Sequence, residues 1–396
     1  MWEERLRVEL QLLRRNRGGR QLVPVEADGT PYVRVDNRRL IDFTNWDVFD
    51  LASRRDFKKS LHQFADRGSG RLSLSRGGWT KYHRAAESSL ASFLGCEDVL
   101  LLSSRNQAIF SFVFNSLTDQ DLLFVDEALG ATPVLDAAAV GGIPVVSYTT
   151  QGLESLARRI GQPASNTGER FVWAQGFNLE AGVISPVDEI ERIARGKGGR
   201  IVVDETFTLG LMGTNLGGVV DYGSLQGVPA AIVGGIGPAL GVSGGIIAGS
   251  ANLCELIRVR SHAVHKEAPL SVGTAAIIPV AIELLRGLTG EVERVLGLCR
   301  YLEVGLKELG FEIRSAGRLP IVSVVLPASL TGYRVWDVLL NGGLWCDYDE
   351  SALRSARTSL IRFVINVRHD REQIKRVIEV MGGVARGINR PSSGGG

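Results

Sequence analysis

Short apolar runs alternate with amphipathic stretches along most of this chain. The apolar runs predict strands at Val99–Leu102, Leu122–Val125, Val145–Tyr148, Phe171–Ala174, Ile201–Val203, Ala231–Gly234 and Gly245–Gly249. Helical spacing is found at Tyr82–Leu94, Ala108–Leu117, Pro133–Val140, Leu153–Ile160 and Pro186–Arg195. Strands that are apolar on both faces and separated by helices predict an α/β fold with a mostly parallel, doubly wound sheet.

The pattern changes at both ends of the chain. The first 20 or so residues have helical spacing, and Val33–Phe43 predicts a hairpin that turns at Asp36-Asn37. A long helix is predicted from Ser271 to Leu288, and we expect it to continue after a break at Thr289-Gly290 as Glu291–Leu309. The segments beyond it predict strands at Glu312–Ser315, Ile321–Leu326 and Ile361–Asn366 and helices at Gly332–Asn341 and Arg371–Met381.

These patterns predict a domain organisation with one boundary near residue 290. We expect an N-terminal helix and hairpin arm at 1–45 and a large domain at 46–290. A smaller C-terminal α+β domain is expected at 291–385, followed by a disordered tail at 386–396 that is rich in Ser and Gly.

Composition narrows the classes of function. With 396 residues and 44% hydrophobic content, the chain can bury a large core. Its net charge is only +2, and the arginine-rich opening reads as a solvated helix, so we expect no nucleic-acid partner. The four cysteines form no C-x-x-C pair and are interpreted as reduced thiols of a cytoplasmic protein. Glycines and prolines break the most apolar stretch, Val228–Ser250, so no membrane span is expected.

Asp204 is the clearest candidate for chemistry that the pattern alone offers. It ends the predicted strand Ile201–Val203, and ligands of doubly wound sheets gather where parallel strands end. The alternative is structural: Asp204 or the adjacent Glu205 caps the following turn. From spacing alone, the two interpretations are equally favoured.

Several segments, taken together in order and spacing, resemble the α-oxoamine synthase family of enzymes that depend on pyridoxal phosphate (PLP). The resemblance extends from about Asp42 to Met381. The segments that carry it are Gly68-Ser69-Gly70-Arg71-Leu72, His83-Arg84-Ala85-Ala86-Glu87, Ser103–Ala108, Asp126–Thr132, Gln175–Gly182, Asp204-Glu205-Thr206-Phe207 and Gly237–Gly244. It implies the type I fold of PLP-dependent transferases.

The resemblance also implies a cofactor site. Ser104 and Asn106 lie in the segment that corresponds to the family's phosphate-binding turn, and Asp204 corresponds to the carboxylate beside the ring nitrogen. Ser271 lies near the position expected to contact phosphate across a subunit interface. PLP is therefore the expected cofactor of the family.

The same comparison reveals departures at five positions of the expected site. Pro238 stands where the family has its Schiff-base lysine, and Gly235 stands where it has a phosphate-contacting threonine. The other three positions are Gly130 for the stacking histidine, Phe207 for the second histidine and Arg105 for the phosphate-turn glycine. The substrate-binding arginine is expected within 345–350, a segment that has none. These departures predict that this chain holds no PLP covalently.

Lys266 is the only lysine between Lys197 and Lys307, and it is a weak candidate to replace the missing one. In the family this segment passes close to the neighbouring subunit's site, so Lys266 could reach across a dimer. The alternative, an exposed charge in a polar loop, is favoured because most lysines are exposed. His262 and His265 flank it, but no third ligand is evident, so no metal site is predicted.

These observations favour one function and leave two alternatives open. The favoured hypothesis is a non-catalytic subunit that pairs with a lysine-bearing paralogue, as in the heterodimeric serine palmitoyltransferases, with acyl-CoA and an amino acid as substrates at the shared interface. A homodimer is the other assembly considered. One alternative is a divergent enzyme that uses the crevice without an internal aldimine. The other is a module that binds acyl-CoA or another small molecule.

Overall fold

The computed structural model describes residues 1–16, 23–29, 31–64, 73–129, 132–150, 152–162, 168–179, 181–314, 317–353 and 358–388. The chain divides into two compact units. One unit contains Phe49–Val292, and the other combines Met1–Val48 with Glu293–Gly396. The segment 1–45, predicted as an arm of its own, therefore shares a unit with C-terminal residues.

Helices and strands are numbered here in chain order. The helices are α1 (Trp2–Asn16), α2 (Arg55–Phe64), α3 (Lys81–Leu94), α4 (Arg105–Ser116), α5 (Pro133–Gly141), α6 (Glu154–Ile160), α7 (Val187–Arg195), α8 (Val219–Tyr222), α9 (Gly237–Leu240), α10 (Ala251–Arg260), α11 (His262–Lys266), α12 (Val272–Arg286), α13 (Thr289–Glu308), α14 (Gly332–Asn341) and α15 (Arg371–Ile388). The strands are β1 (Glu26–Ala27), β2 (Tyr32–Val35), β3 (Arg38–Asp42), β4 (Asp98–Leu102), β5 (Leu122–Asp126), β6 (Val145–Tyr148), β7 (Arg170–Gln175), β8 (Phe177–Asn178), β9 (Val183–Ile184), β10 (Arg200–Asp204), β11 (Ala231–Gly235), β12 (Gly245–Gly249), β13 (Glu312–Arg314), β14 (Ile321–Val325), β15 (Leu344–Trp345), β16 (Asp347–Leu353) and β17 (Thr358–Val364).

A sheet with the strand order β4-β12-β11-β10-β7-β5-β6 forms the centre of the unit Phe49–Val292. Strand β10 pairs in parallel with β7 and β11, and β5 pairs in parallel with β7 and β6. Strand β12 is antiparallel to both of its neighbours. The prediction of a mostly parallel α/β sheet is confirmed. Because β4, β5, β7, β10 and β11 run in one direction, their carboxyl ends share one edge of the sheet.

The core of this unit explains why its strands are apolar on both faces. On one face, side chains of β4, β5, β7, β10, β11 and β12 pack against α4 and α5 in a buried cluster that includes Phe112, Trp173 and Val233. Helix α7 packs against β7 and β10, and α3 packs against β4 and α12. The sheet is thus held between helices, and its edge is positioned by their packing.

The other unit contains two further sheets within the described residues. One has the strand order β13-β14-β17-β16 and is antiparallel. In the other, β2 and β3 form the predicted hairpin, whose turn residues Asp36 and Asn37 have φ values of 47° and 63°. Strand β15 adds to β3 in parallel, with Leu344 opposite Ile41. This pairing joins the N-terminal hairpin to the C-terminal residues.

Some element boundaries differ from the predicted ones. Helix α12 ends at Arg286, where the Gly287 N–H caps the carbonyls of Leu284 and Leu285, so the helix break lies before Thr289-Gly290. Helix α15 continues past Met381 to Ile388, so residues 386–388, predicted as the start of a disordered tail, are helical, and the rest of that tail lies outside the described residues. Among the described helices, none is long and apolar enough by itself to cross a membrane; α12 and α13 meet the length and composition criteria only as a broken pair.

Candidate functional site

Asp204 lies at the carboxyl edge of the sheet, as the last residue of β10. It is opposite Gln175 of β7 and Val233 of β11, and it is 1% exposed. The chain then turns, and both the backbone N–H and the hydroxyl of Thr206 donate to Oδ1 of Asp204, at 3.1 and 2.5 Å. One carboxylate oxygen therefore stabilises the following turn, as the structural alternative predicted.

The second carboxylate oxygen of Asp204 is bound by Arg105. Nη2 and Nε of Arg105 donate to Oδ2 at 2.5 and 3.2 Å. Nε also donates to the Thr206 hydroxyl at 3.0 Å. Arg105 is the first residue of α4, which begins there because the Ser104 side chain accepts the Gln107 N–H. The carboxylate predicted to face a cofactor ring thus pairs with a cation of its own chain.

Gly235 provides the space that Arg105 uses. A methyl group at Gly235 would lie 3.3 Å from Cβ of Arg105 and 3.4 Å from Cγ2 of Thr206. The Gly235 N–H also donates to the Thr206 hydroxyl at 2.9 Å. The hydroxyl of Thr206 thereby donates to Asp204 and accepts from both Arg105 and Gly235, which satisfies it completely. These four residues form one connected group, named here the Arg105 cluster.

The remaining departures have different surroundings. Pro238 is the second residue of the short helix α9, directly after β11, and is partly buried. Phe207 is also partly buried and follows Thr206. Gly130 lies outside the described residues, as does the segment Gly68-Ser69-Gly70-Arg71-Leu72. Pro238 and the Arg105 cluster therefore both lie at the carboxyl edge of the sheet.

The three serine and asparagine candidates serve as helix caps or are exposed. Ser104 is exposed and caps α4, and Asn106 is exposed in the first turn of the same helix. Ser271 caps α12 by accepting the Thr274 N–H at 3.0 Å, and its hydroxyl lies 2.7 Å from that of Thr274. The structure brings Ser104 and Asn106 next to Arg105, whereas Ser271 begins a different helix.

Lys266 is exposed at the end of α11. Its neighbour His265 directs Nε2 at the carbonyl of Val259, 2.9 Å away, and His262 is exposed. In the part of the chain that the structure describes, no group of three or more His, Cys, Asp or Glu side chains is arranged to hold a metal ion. The side-chain hydrogen bonds given to Asp204 come from Arg105 and Thr206, and Lys266 is not one of their donors.

Glu205 is the second buried carboxylate at this edge. It accepts the N–H groups of Val219 and Val220 at 3.0 and 2.8 Å, as well as the Thr208 hydroxyl. The Glu205 carboxylate fits against Gly218, which has a φ of 92°. A side chain at position 218 would collide with this carboxylate. Burial raises the pKa of Glu205 to about 7, although its hydrogen bonds oppose this change. Glu205 therefore accepts the first two backbone N–H groups of α8.

The motif His83-Arg84-Ala85-Ala86-Glu87 also has a structural explanation. Nε2 of His83 is 2.9 Å from the carbonyl of Leu270, which connects α3 to the segment before α12. Glu87 is buried and accepts the Leu101 N–H and the Trp79 indole N–H at 3.1 and 2.9 Å. Burial raises its pKa. The motif therefore positions elements around the sheet.

Sequence reasoning missed a buried arginine in the C-terminal sheet. The segment 345–350, where an arginine was expected, instead contributes two carboxylates. Arg362 of β17, which is 4% exposed, donates to Asp347 at 3.0 Å and to Asp349 at 3.1 Å. The alternating aspartates on β16 were a usable signal, because residues two apart lie on one face of a strand.

Comparisons with known proteins agree with the fold and with the family that the sequence resembles. The sequence profile of the family described as "Aminotransferase class I and II" matches residues 50–381. The 8-amino-7-oxononanoate synthase of Pseudomonas putida (strain GB-1) is 26% identical, covering 91% of this chain and 92% of that protein. The serine palmitoyltransferase of Sphingomonas paucimobilis is 24% identical, covering 84% of this chain and 78% of that protein.

A solved structure shows the same fold. It is a lysine-to-alanine variant of the S. paucimobilis serine palmitoyltransferase with bound PLP–myriocin aldimine. It superposes with a TM-score of 0.89 at 20% identity and covers 98% of each chain. The architecture is therefore the type I fold of PLP-dependent enzymes. The chain belongs to the aminotransferase class I and II family, and its homologues place it among the α-oxoamine synthases.

Proposed function

We propose that this chain is the non-catalytic subunit of a heterodimeric acyl-CoA:amino-acid C-acyltransferase similar to serine palmitoyltransferase. A lysine-bearing paralogue supplies the imine lysine and its PLP. The pair joins the α-carbon of an amino acid to the acyl group of an acyl-CoA, with loss of CO₂ and release of CoA, and yields an aminoketone. This chain contributes walls of the shared site rather than the reacting amine.

The observation that carries this proposal is Pro238. It is the second residue of α9, the short helix after β11, at the sheet edge where Asp204 ends β10. A Schiff base needs a primary amine, and the nitrogen of a proline within the chain belongs to a peptide bond. Lys266 offers an amine but is exposed at the end of α11. The residue position that defines catalysis in this family therefore lacks the required group.

The other departures add support for the absence of catalysis, because loss of the lysine alone does not prevent PLP from binding in this family. A lysine-to-alanine variant of the S. paucimobilis enzyme still carries a PLP–myriocin aldimine. In this chain, however, Phe207 and Gly235 also replace polar groups of the family pattern, and Arg105 binds Asp204. Several changes around one pocket support a chain with no condensing activity of its own.

Retention of the fold supports a role in an assembly. The family resemblance implies that active sites lie at a subunit interface, so a chain without its own reaction centre can still complete that of its partner. Ser271, at the start of α12, is the residue we propose to contact the partner's cofactor phosphate. An α-helix N-terminus presents N–H groups and a partial positive charge suited to such an anion.

We place the pair in the cytoplasm. All four cysteines are free thiols, and Cys254, Cys299 and Cys346 are buried. Burial raises the pKa of Cys254 to about 12, which keeps that thiol protonated and unreactive. Buried thiols without disulfides are typical of proteins in a reducing compartment.

The proposal is tested by reconstitution. This chain and a lysine-bearing paralogue, encoded beside it where such a neighbour exists, are expressed singly and together and supplied with PLP, palmitoyl-CoA and L-serine, followed by other acyl-CoA and amino-acid pairs. Release of CoA is expected only when both chains are present, and a lysine-to-alanine change in the partner abolishes it. Condensation by this chain alone, or full activity of the partner alone, would contradict the proposal.

A further inference from the structure

The Arg105 cluster bears on the cofactor itself, independently of any partner chain. Both oxygens of Asp204 are occupied by donors of the same chain: Thr206 binds Oδ1, and Arg105 binds Oδ2. The Asp204 side chain has no exposed surface, and that of Arg105 is 23% exposed. A ring nitrogen that approached Asp204 would have to displace the guanidinium.

The charges of the cluster are balanced as it stands. A protonated pyridine ring offers a carboxylate one N–H donor and one positive charge, whereas the Arg105 guanidinium offers two N–H donors and the same charge. A second cation beside the pair would be repelled by the first, and removal of Arg105 would leave Asp204 buried without a counter-ion. Asp204 can therefore pair with Arg105 or with a protonated pyridine ring, but not with both at once.

The packing of the cluster is also complementary. Arg105 passes over Gly235, where any side chain would come within 3.3 Å of its Cβ. The Thr206 hydroxyl bonds to Asp204, Arg105 and Gly235 together, so the ends of β10 and β11 and the start of α4 are joined without a cofactor. In the family, the resemblance assigns threonine and glycine to positions 235 and 105, so the two substitutions fit each other.

We infer that Arg105 replaces the cofactor ring as the cation of Asp204, and that this chain is closed to PLP even without a covalent bond. With Pro238 at the lysine position, no imine can form. With Arg105 bound to Asp204, the ring nitrogen of PLP has no carboxylate to pair with. The two changes are separable, and the residues present do not fit PLP. The chain is therefore folded and complete at this edge in the absence of the cofactor.

The test is equilibrium dialysis of the full isolated chain against PLP, with bound PLP quantified directly. The wild-type chain is expected to bind none above the level of a control protein. Arg105→Gly is expected to raise PLP affinity by about a hundredfold or more, because displacement of a buried ion pair is no longer required. Adding Asp204→Asn to Arg105→Gly is expected to remove that gain.

Arg258 provides a matched control. Its Nη1 atom lies 2.5 Å from Asp98, and the two side chains are 19% and 25% exposed, so this ion pair is as short as that of Arg105 but has a more exposed carboxylate and lies at the start of β4. Arg258→Met is expected to leave PLP affinity unchanged. Micromolar binding by the wild-type chain would overturn the inference, and this result needs no variant to fold. Equal affinities of the wild type and Arg105→Gly, or a gain with Arg258→Met, would overturn it as well.

This outcome is distinguishable from that of the proposed function. A wild-type chain that binds PLP yet activates a lysine-bearing partner contradicts the inference about Arg105 alone. A chain that excludes PLP yet activates no partner contradicts the proposed function alone.

Discussion

The Nη2 atom of Arg105 lies 2.5 Å from Oδ2 of Asp204, and this ion pair joins the first residue of α4 to the last residue of β10. The two residues are far apart in the sequence and meet at the sheet edge where the resemblance expects a cofactor. Buried ion pairs contribute little net stability when both partners are compared with apolar residues, but removal of one partner is costly. The pair therefore leads to a definite prediction about stability.

Arg105→Met is expected to lower the free energy of unfolding by about 3 kcal/mol, because Asp204 is left buried without a counter-ion. Adding Asp204→Asn removes the stranded charge and is expected to recover part of the loss. Urea unfolding of the wild type, both single variants and the double variant gives the coupling energy.

Arg200 and Glu169 provide the control for that measurement. Their side chains are 62% and 55% exposed and lie 3.4 Å apart. Arg200→Met is expected to change the free energy of unfolding by less than about 1 kcal/mol, since exposed ion pairs are weak. If Arg105→Met lowered the free energy of unfolding by no more than Arg200→Met does, the importance assigned to the Arg105 cluster would be contradicted.

Gly235→Ala is expected to destabilise the wild-type chain by about 1–2 kcal/mol, because the new methyl group crowds Cβ of Arg105. The same change in an Arg105→Gly background is expected to cost less, since the crowded side chain is gone. Thermal or urea unfolding of the four proteins measures this difference.

Gly383→Ala serves as the comparison for the glycine change. No atom lies within 4 Å of the position that its side chain would occupy on α15. Because alanine favours a helix over glycine, this variant is expected to gain about 1 kcal/mol. Equal losses for Gly235→Ala with and without Arg105 would show that the two residues do not constrain each other.

The buried Glu205 predicts a dependence of stability on pH. Its pKa is raised by burial from 4.5 to about 7, so the folded chain holds this proton more tightly than the unfolded chain. The stabilising contribution is complete below about pH 4.5 and is lost as the pH rises through about 7. Relative to Glu205→Gln, the wild-type free energy of unfolding should fall by up to about 3 kcal/mol between about pH 5 and pH 8.

Urea unfolding at several pH values measures this change. The glutamine variant is expected to be less stable at low pH, because both oxygens of Glu205 accept hydrogen bonds and the amide NH₂ group that replaces one of them cannot accept any. Subtracting the two curves removes the contribution of other groups, among them His369, whose pKa burial lowers to about 4. A difference that does not change with pH would contradict the assignment to Glu205.

The exposure of Lys266 leads to a spectroscopic prediction. Lys266 is exposed to solvent at the end of α11, so a mixture of this chain and PLP is expected to show no imine absorption band beyond that of free lysine side chains. Borohydride reduction followed by peptide mass mapping reports the position of any adduct. A stoichiometric adduct at Lys266 would favour an enzyme that has relocated its amine.

Much of the fold could be predicted because its signals are local. Apolar runs with flanking helices identified each strand of the central sheet, and the turn residues Asp36 and Asn37 identified the N-terminal hairpin. Placement of Asp204 at the sheet edge followed from the end of an apolar run. The pairing of β3 with β15 was not predictable, because it joins residues near 41 to residues near 344.

The site was only partly predictable for the same physical reason. Its departures could be read position by position, but the bond between Arg105 and Asp204 depends on α4 and β10 meeting at the sheet edge. Nothing in the neighbourhood of Arg105 in the sequence indicates its partner. Arg362 likewise lies on a different strand from Asp347 and Asp349, so the alternating aspartates indicate a shared strand face but not which residue of the neighbouring strand pairs with them.

We propose that this chain lacks its own cofactor and completes the site of another chain. Native mass spectrometry of the chain coexpressed with a lysine-bearing paralogue and PLP tests both parts of this proposal. A complex of one copy of each chain with a single PLP on the partner's lysine is the predicted result. A homodimer of this chain that excludes the paralogue, or a complex with PLP on both chains, would contradict the account.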